Sequence, residues 1–300
     1  MRSMIGEPRV VESGRGAAWW SVGFHILKSS FWTWVGIMII YVILSMLMTA
    51  VTNVVPFLGN VGFWLLSPVF VGGVMIGCQA IESGGELRVA HLFEGFQGTH
   101  FVPLMIIGAL NIALMLGVAA ITAAGLFGTL TIAQIIAPGT GGDPFEALRG
   151  SRMFTGTGLL TGVLVLILLT AFTMLNWFAP ALVALRGATA FEAMKLSFLA
   201  CLRNWAPFLV YGLIGIAISV ALAFIFGAVA AMVGAGVLLG ASNMNLASGI
   251  GAILGLVLLF VVGFAVVAVV LGPIIFGSIY SGYRDTLGTD DTTLGNPAYQ

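Results

Sequence analysis

Charge is what this sequence has least of. Only 7% of its 300 residues are Asp, Glu, Lys or Arg, against roughly 25% in a soluble domain, while 60% are hydrophobic. A water-soluble fold of this length must clothe most of its surface in polar atoms. Those atoms are missing, so the bulk of the chain must face hydrocarbon. The 11 basic and 11 acidic residues cancel, which leaves no electrostatic footprint for nucleic acid. Two cysteines, Cys78 and Cys201, stand in no metal or redox spacing and read as small packing residues. No GxSxG elbow, HExxH, CxxC or GxxxxGK[ST] loop is present, and the glycine-rich GTGGDP and GTGLLTG follow no strand. The chain is therefore expected to be a non-enzyme, with no catalytic residue, no cofactor and no metal.

Long apolar runs are what it has most of. Leu104–Leu130 (LMIIGALNIALMLGVAAITAAGLFGTL) and Ile253–Gly277 (ILGLVLLFVVGFAVVAVVLGPIIFG) are continuous, unlike the roughly ten-residue alternating segments of a membrane β-barrel. About 20 residues rising 1.5 Å each cross a core of about 30 Å. The expected fold is an all-α integral membrane protein with six spans, at 32–52, 58–81, 102–124, 158–185, 206–229 and 251–282. The third and sixth runs exceed one crossing. The polar start, MRSMIGEPRVVESGRG, is followed by no signal-type apolar core, so the first span is expected to remain as an anchor.

Counting cations by side orients the bundle. Arg2, Arg9, Arg15, Lys28, Arg88, Arg186, Lys195, Arg203 and Arg284 fall on one face, and Arg149 and Arg152 on the other. The positive-inside rule then puts both termini in the cytoplasm. Six tryptophans (Trp19, Trp20, Trp32, Trp34, Trp177, Trp205) crowd the same inner level, leaving Trp64 near the outer one.

The chain also repeats itself. Leu66–Gly77 (LSPVFVGGVMIG) and Leu271–Gly282 (LGPIIFGSIYSG) match in register at the leucine, the proline and two glycines. Each odd span opens with an aromatic, any residue, then Gly or Pro, at Trp34-Val-Gly36, Phe101-Val-Pro103 and Trp205-Ala-Pro207. Each even span holds a proline, at Pro68, Pro180 and Pro273. A short amphipathic segment precedes each odd span. Trp20, Phe24, Leu27 and Phe31 oppose His25 and Lys28; Val89, Leu92, Phe93 and Phe96 oppose Arg88 and His91; Phe191, Met194 and Phe198 oppose Glu192 and Lys195. Such helices lie in the headgroup plane. Three like-oriented units are expected, each an interfacial helix, a span, an outer turn and a span, at about 17–82, 88–187 and 188–284. They form one membrane domain over 17–284, between a polar cytoplasmic segment, 1–16, and a disordered tail, 285–300.

The residues singled out are structural. A proline in lipid survives where neighbours satisfy the carbonyl it frees, and glycines let helices close up. Gly73/Gly77, Gly158/Gly162 and Gly251/Gly255 have small-xxx-small spacing, and Gly277 and Gly282 complete the last unit. The spans hold no ionisable side chain in their interiors, where one would cost about 2.5–3.5 kcal/mol, which argues against ion coupling. Asn111 and Asn176 are the candidate path-lining residues, with Gln79 near an inner end. His91, Glu94 and His100 share the inner interface. A metal or acid–base group there is the alternative to a plain polar face.

Three segments, LSPVFVGGVMIGCQAIESGGELRVAHLFEGF, AFEAMKLSFLACLRNWAPFLVYGLIG and IYSGYRDT, carry a family likeness. They resemble a proteobacterial family of uncharacterised multi-pass inner-membrane proteins. Its layout is similar to that of the membrane domain attached to some glycerophosphodiester phosphodiesterases. The resemblance runs from the first short helix to Arg284-Asp285. It implies an inner-membrane location and transfers no catalytic or binding residue, and the phosphodiesterase barrel is missing. The outer loop at about 230–248 is long for that family. The function expected is that of an intramembrane packing or assembly partner, touching membrane lipids and other membrane proteins or copies of itself. The alternative is a carrier or binder of lipids or other amphiphiles, without ion coupling.

Overall fold

The computed structural model describes residues 6–55, 58–136, 156–240 and 246–288. Among these there are helices and no strand. The order is α1 (Arg15–Ser29), α2 (Phe31–Val54), α3 (Leu58–Glu82), a 3-10 segment (Val89–Phe96), α4 (Phe101–Ile136), α5 (Gly156–Asn176), α6 (Ala179–Arg186), α7 (Ala190–Arg203), α8 (Trp205–Gly240) and α9 (Leu246–Leu287). Six segments are long and apolar enough to cross a membrane: Phe31–Val54, Leu58–Glu82, Phe101–Gly125, Gly158–Arg186, Trp205–Met232 and Phe260–Leu287. The chain is a multi-pass membrane protein. The surplus length of the third and sixth runs is continued helix, since α4 has 36 residues and α9 has 42.

Packing is uneven along the bundle. The N-terminal segment crosses the last turn of α9, where the Arg9 amide donates to the Thr286 carbonyl (2.8 Å). We call this the near end. The core clusters there, around Trp34, Val69, Met75, Leu92, Leu104, Phe178, Leu182 and Tyr280. Toward the far end, α2/α3, α4/α5 and α8/α9 run as hairpins, and much of their apolar surface is exposed, as at Leu160, Leu166, Phe224 and Leu258. An apolar exterior is what lipid requires, because a helix hydrophobic all round belongs in a membrane or a large core.

Prolines sit where the helix tolerates them. Pro103 and Pro207 are third residues of α4 and α8, in the first turn, where an N–H has no helical acceptor anyway. Pro68 and Pro273 lie inside α3 and α9, buried in the near-end core. Pro180 differs. The expected fourth span breaks at Trp177–Phe178 and restarts as α6, with Pro180 in its first turn.

The three short segments are helical, and each buries residues outside its aromatic stripe. On α1 the buried residues are Gly16, Trp19, Val22, Gly23, Ile26 and Leu27, whereas Phe24 and Phe31 are 47% and 40% exposed. On α7 the small Ala193, Ser197 and Ala200 are buried, with Met194 and Cys201, and Phe191 points out at 69% exposure. The middle segment is a 3-10 helix. Its three-residue period buries His91, Leu92 and Gly95 and leaves Val89 and Phe93 partly exposed. The physical reason is shared. Small residues face the protein because they let backbones approach closely.

Three of those small residues dock in the same way. A Cβ on Gly23 would strike the Ile274 carbonyl oxygen and lie 3.1 Å from the Ser278 nitrogen. A Cβ on Gly95 would strike the Val69 carbonyl oxygen and lie 3.2 Å from the Gly73 nitrogen. The Ser197 hydroxyl accepts from the Phe178 amide (2.9 Å) and donates to the Met174 carbonyl (2.7 Å). In each case the partner is the carbonyl of one residue and the amide four residues on. In α5/α6 the serine replaces the helical hydrogen bond at the break. Ile274 and Val69 directly follow Pro273 and Pro68, but Met174 precedes Pro180 by six residues.

One boundary moves. Helix α9 runs past the expected boundary at 285 to Leu287, with Thr286 and Leu287 buried. Asp285 is helical because α1 binds its side chain, as described below. The remainder of the tail, Arg149, Arg152 and much of the loops about 137–155 and 241–245 lie outside the described residues.

Candidate functional site

The last turns of the even spans meet at the near end and bring the ionisable residues together. Glu82 closes α3, Arg186 closes α6, and Arg284 sits near the end of α9. Glu82 forms an ion pair with Arg284 and accepts a 2.6 Å hydrogen bond from the Tyr280 hydroxyl. Tyr280 and Arg284, four residues apart, share one helix face. Arg186 donates Nε to the Tyr283 oxygen (3.2 Å) and Nη2 to the Leu287 carbonyl (2.9 Å). Asp285, turned toward α1, accepts from Trp19 Nε1 (2.8 Å) and Arg15 Nε (2.8 Å).

A strap closes over this cluster. Arg9 donates to the Gly288 carbonyl (2.8 Å), capping the C-terminus of α9 where a cation is favoured. Asn204, fully buried at the α7–α8 junction, donates to the Arg9 carbonyl (2.9 Å) and accepts from the Val11 amide (2.8 Å). Every charge in the knot faces its opposite or a carbonyl. The arrangement staples α1, α3, α6 and α9.

Beside the knot, two open cavities share one residue. A polar one of about 260 Å³ is lined by Glu7, Pro8, Glu192, Lys195, Leu196, Leu199 and Arg203. An apolar one of about 370 Å³ lies between α4, α5 and α7, lined by Leu110, Leu114, Leu175, Phe191, Met194, Lys195 and Phe198. Lys195 stands at their junction.

The residues singled out from sequence are scattered around these features. Gly73 and Gly77 receive the 3-10 segment, since a Cβ on Gly73 would meet the His91 and Leu92 carbonyls and one on Gly77 the Leu87 and His91 side chains. Gly277 faces the Gly23 Cα, and Gly282 faces Phe178 and Trp19. Gly162, Gly251 and Gly255 have no neighbour within 4 Å of where a Cβ would be. Trp34 is fully buried and donates Nε1 to the Ile26 carbonyl (3.0 Å), fixing the α1–α2 turn. Trp205, in the matching motif, is 67% exposed.

Asn111 is buried, and among the described residues its Oδ1 has no hydrogen-bond partner. Asn176 is half-buried and donates Nδ2 to the Phe172 carbonyl one turn back (2.9 Å). The two are not brought together by any hydrogen bond. His91 is buried rather than facing water. Its Nδ1 accepts the Arg88 amide (3.0 Å), capping the 3-10 segment, and its Nε2 lies 3.6 Å from Glu94 Oε1. Among the described residues no three His, Cys, Asp or Glu side chains are placed to hold a metal. Cys78 and Cys201 are buried and unbridged, and burial pushes the Cys201 thiol up to about 12.

Sequence reading missed the knot. Glu82, Tyr280, Tyr283 and Asp285 were not singled out. The available signal was that three consecutive even spans end on ionisable residues of both signs, which in a bundle must meet.

No known family model matches the sequence, and no solved structure does. The chain is similar to a probable inner membrane protein of Burkholderia thailandensis, 27% identical over 230 residues that cover 75% of this chain and 81% of the relative.

Proposed function

We propose that this protein is a non-enzymatic component of the bacterial inner membrane whose spans associate with other membrane proteins or with further copies of itself. The name of its relative supports the location. The observation that carries the role is the contrast between two sets of helix glycines. Gly23, Gly73, Gly95 and Gly277 are filled by their own chain, whereas Gly162, Gly212, Gly227, Gly251 and Gly255, spread over α5, α8 and α9, have nothing within 4 Å. In lipid, where apolar burial gives little drive, glycine faces are where helices associate. Purification in mild detergent with mass spectrometry of co-eluting proteins tests this. A specific membrane partner or a discrete homo-oligomer is the expected result, and a lone monomer under every condition refutes it.

The architecture that accompanies this role is three like-oriented units with both termini cytoplasmic. The Gly23, Gly95 and Ser197 contacts support it. In this reading each short segment docks on the second span of the preceding unit, and α1 docks on the last, closing a ring. Compartment-reporting tags on Met1 and Gln300 test the orientation, and a periplasmic signal from either overturns it.

A second reading, an amphiphile binder, is favoured by the apolar cavity that opens between α4, α5 and α7 beneath a lysine.

A further inference from the structure

Lys195 and Glu192 lie three residues apart on α7, both exposed, and both line the polar cavity. Residues at that spacing are neighbours on a helix surface, yet among the described residues neither has an ion-pair or hydrogen-bond partner. The other charges of that cavity are already spent on each other, since Arg203 pairs with Glu7 at 2.9 Å. What remains is one free cation and one free anion side by side. Lys195 also borders the apolar cavity, where Phe191, Met194 and Phe198 from α7 face Leu110 and Leu114 from α4. Leu114 is 13 residues, or about 20 Å of helix, from the first residue of α4.

We propose that this pair of cavities is a binding site for a zwitterionic phospholipid with a phosphate and a primary ammonium in its headgroup. The Lys195 ammonium takes the phosphate, the Glu192 carboxylate takes the ligand's ammonium, and one acyl chain lies in the groove from Phe191 to Leu114. The charge pattern selects the class. A lipid with a net negative headgroup satisfies Lys195 but leaves Glu192 facing a like charge, whereas an ammonium–phosphate headgroup neutralises both. The groove wall is apolar, so it takes the chain without a polar cost. This deepens the amphiphile-binding reading and rests on it.

The test uses the full-length protein, delipidated in detergent and titrated with phosphatidylethanolamine or phosphatidylglycerol, with native mass spectrometry counting retained lipid. The wild type is expected to retain phosphatidylethanolamine in preference. Lys195→Ala is expected to weaken both lipids about fivefold, the size of one interfacial cation. Glu192→Gln is expected to abolish the preference while leaving phosphatidylglycerol retention intact or improved. Both side chains are exposed, so the fold is retained, and circular dichroism checks it. Retention of neither lipid by the wild type refutes the amphiphile-binding reading itself. Lipid retained without headgroup preference, with preference for phosphatidylglycerol, or unaffected by either substitution, leaves that reading standing and overturns the assignment to Lys195 and Glu192.

Discussion

Replacing Gly23 by alanine isolates the contact between the first short helix and the last span. In α1 the change should help locally, because alanine is the better helix former by up to about 1 kcal/mol. Against this, the new methyl would overlap the Ile274 carbonyl oxygen and sit 3.0 Å from its carbon and 3.1 Å from the Ser278 nitrogen. All three are backbone atoms of α9 and cannot swing aside. Carbon–oxygen contacts at close helix interfaces settle at about 3.3–3.6 Å, so the helices must separate by roughly 1 Å. That separation also loosens Gly277, which abuts the Gly23 Cα at 2.9 Å from where its own Cβ would be. Overpacking of this kind typically costs about 1–3 kcal/mol. The net expectation is a loss of about 1–2 kcal/mol. Gly162→Ala is the control. It lies in α5 with open space around it, so only the propensity gain applies, and its stability should be unchanged or up to about 1 kcal/mol higher. Reversible unfolding in mixed micelles reads both, and the fluorescence of Trp19, buried on α1, contributes to the signal. The reasoning fails if Gly23→Ala is as stable as the wild type, or if Gly162→Ala loses as much.

Other outcomes follow from the same geometry. Ser197→Ala leaves the Phe178 amide without its acceptor and should cost about 1–3 kcal/mol in the same assay; an unchanged midpoint means the break at Trp177–Phe178 does not depend on the hydroxyl. Glu82→Ala strands Arg284 against α3 and should destabilise by about 3–5 kcal/mol, whereas replacing both partners by well-packed apolar residues should recover most of that; a single substitution without effect refutes the staple. Cys201 should stay unlabelled by maleimide at neutral pH in the folded protein and label on unfolding, because its folded thiol titrates at about 12. For this group the folded value is raised, so its contribution to stability is full below the unfolded value of about 8.5 and is lost as pH rises toward the folded one. A stability profile that instead rises over that alkaline window contradicts the burial of Cys201.

Much of the architecture was legible in the chain because lipid imposes a simple rule. Apolar runs such as Leu104–Leu130 have one solution in a bilayer, a helix that satisfies its own backbone. The first five spans therefore fell within a few residues of their expected ends, while the sixth, Phe260–Leu287, lies further along the chain than expected. Pro103 and Pro207 marked helix starts because a missing N–H is harmless in a first turn. Which residues of the short helices meet the protein was not legible, for a related reason. In water a stripe such as Trp20, Phe24, Leu27 and Phe31 points to the core, whereas at a membrane boundary lipid is an equal solvent for it. Gly23 and Ser197 carry no hydrophobic signal, yet they are the points of closest approach.

Composition and run length alone determined that this is a helical membrane protein with six helices long and apolar enough to cross, because exposing polar backbone to hydrocarbon is too costly for other arrangements. The tertiary structure decided which helices touch: that α1 lies on α9 rather than flat beside α2, that Glu82 finds Arg284 about two hundred residues away, and that Lys195 borders both a polar and an apolar cavity. Those pairings depend on backbone approach distances and on the ends of helices meeting in space. A one-dimensional pattern of hydrophobicity does not encode such distances when both sides of a helix are free to be apolar.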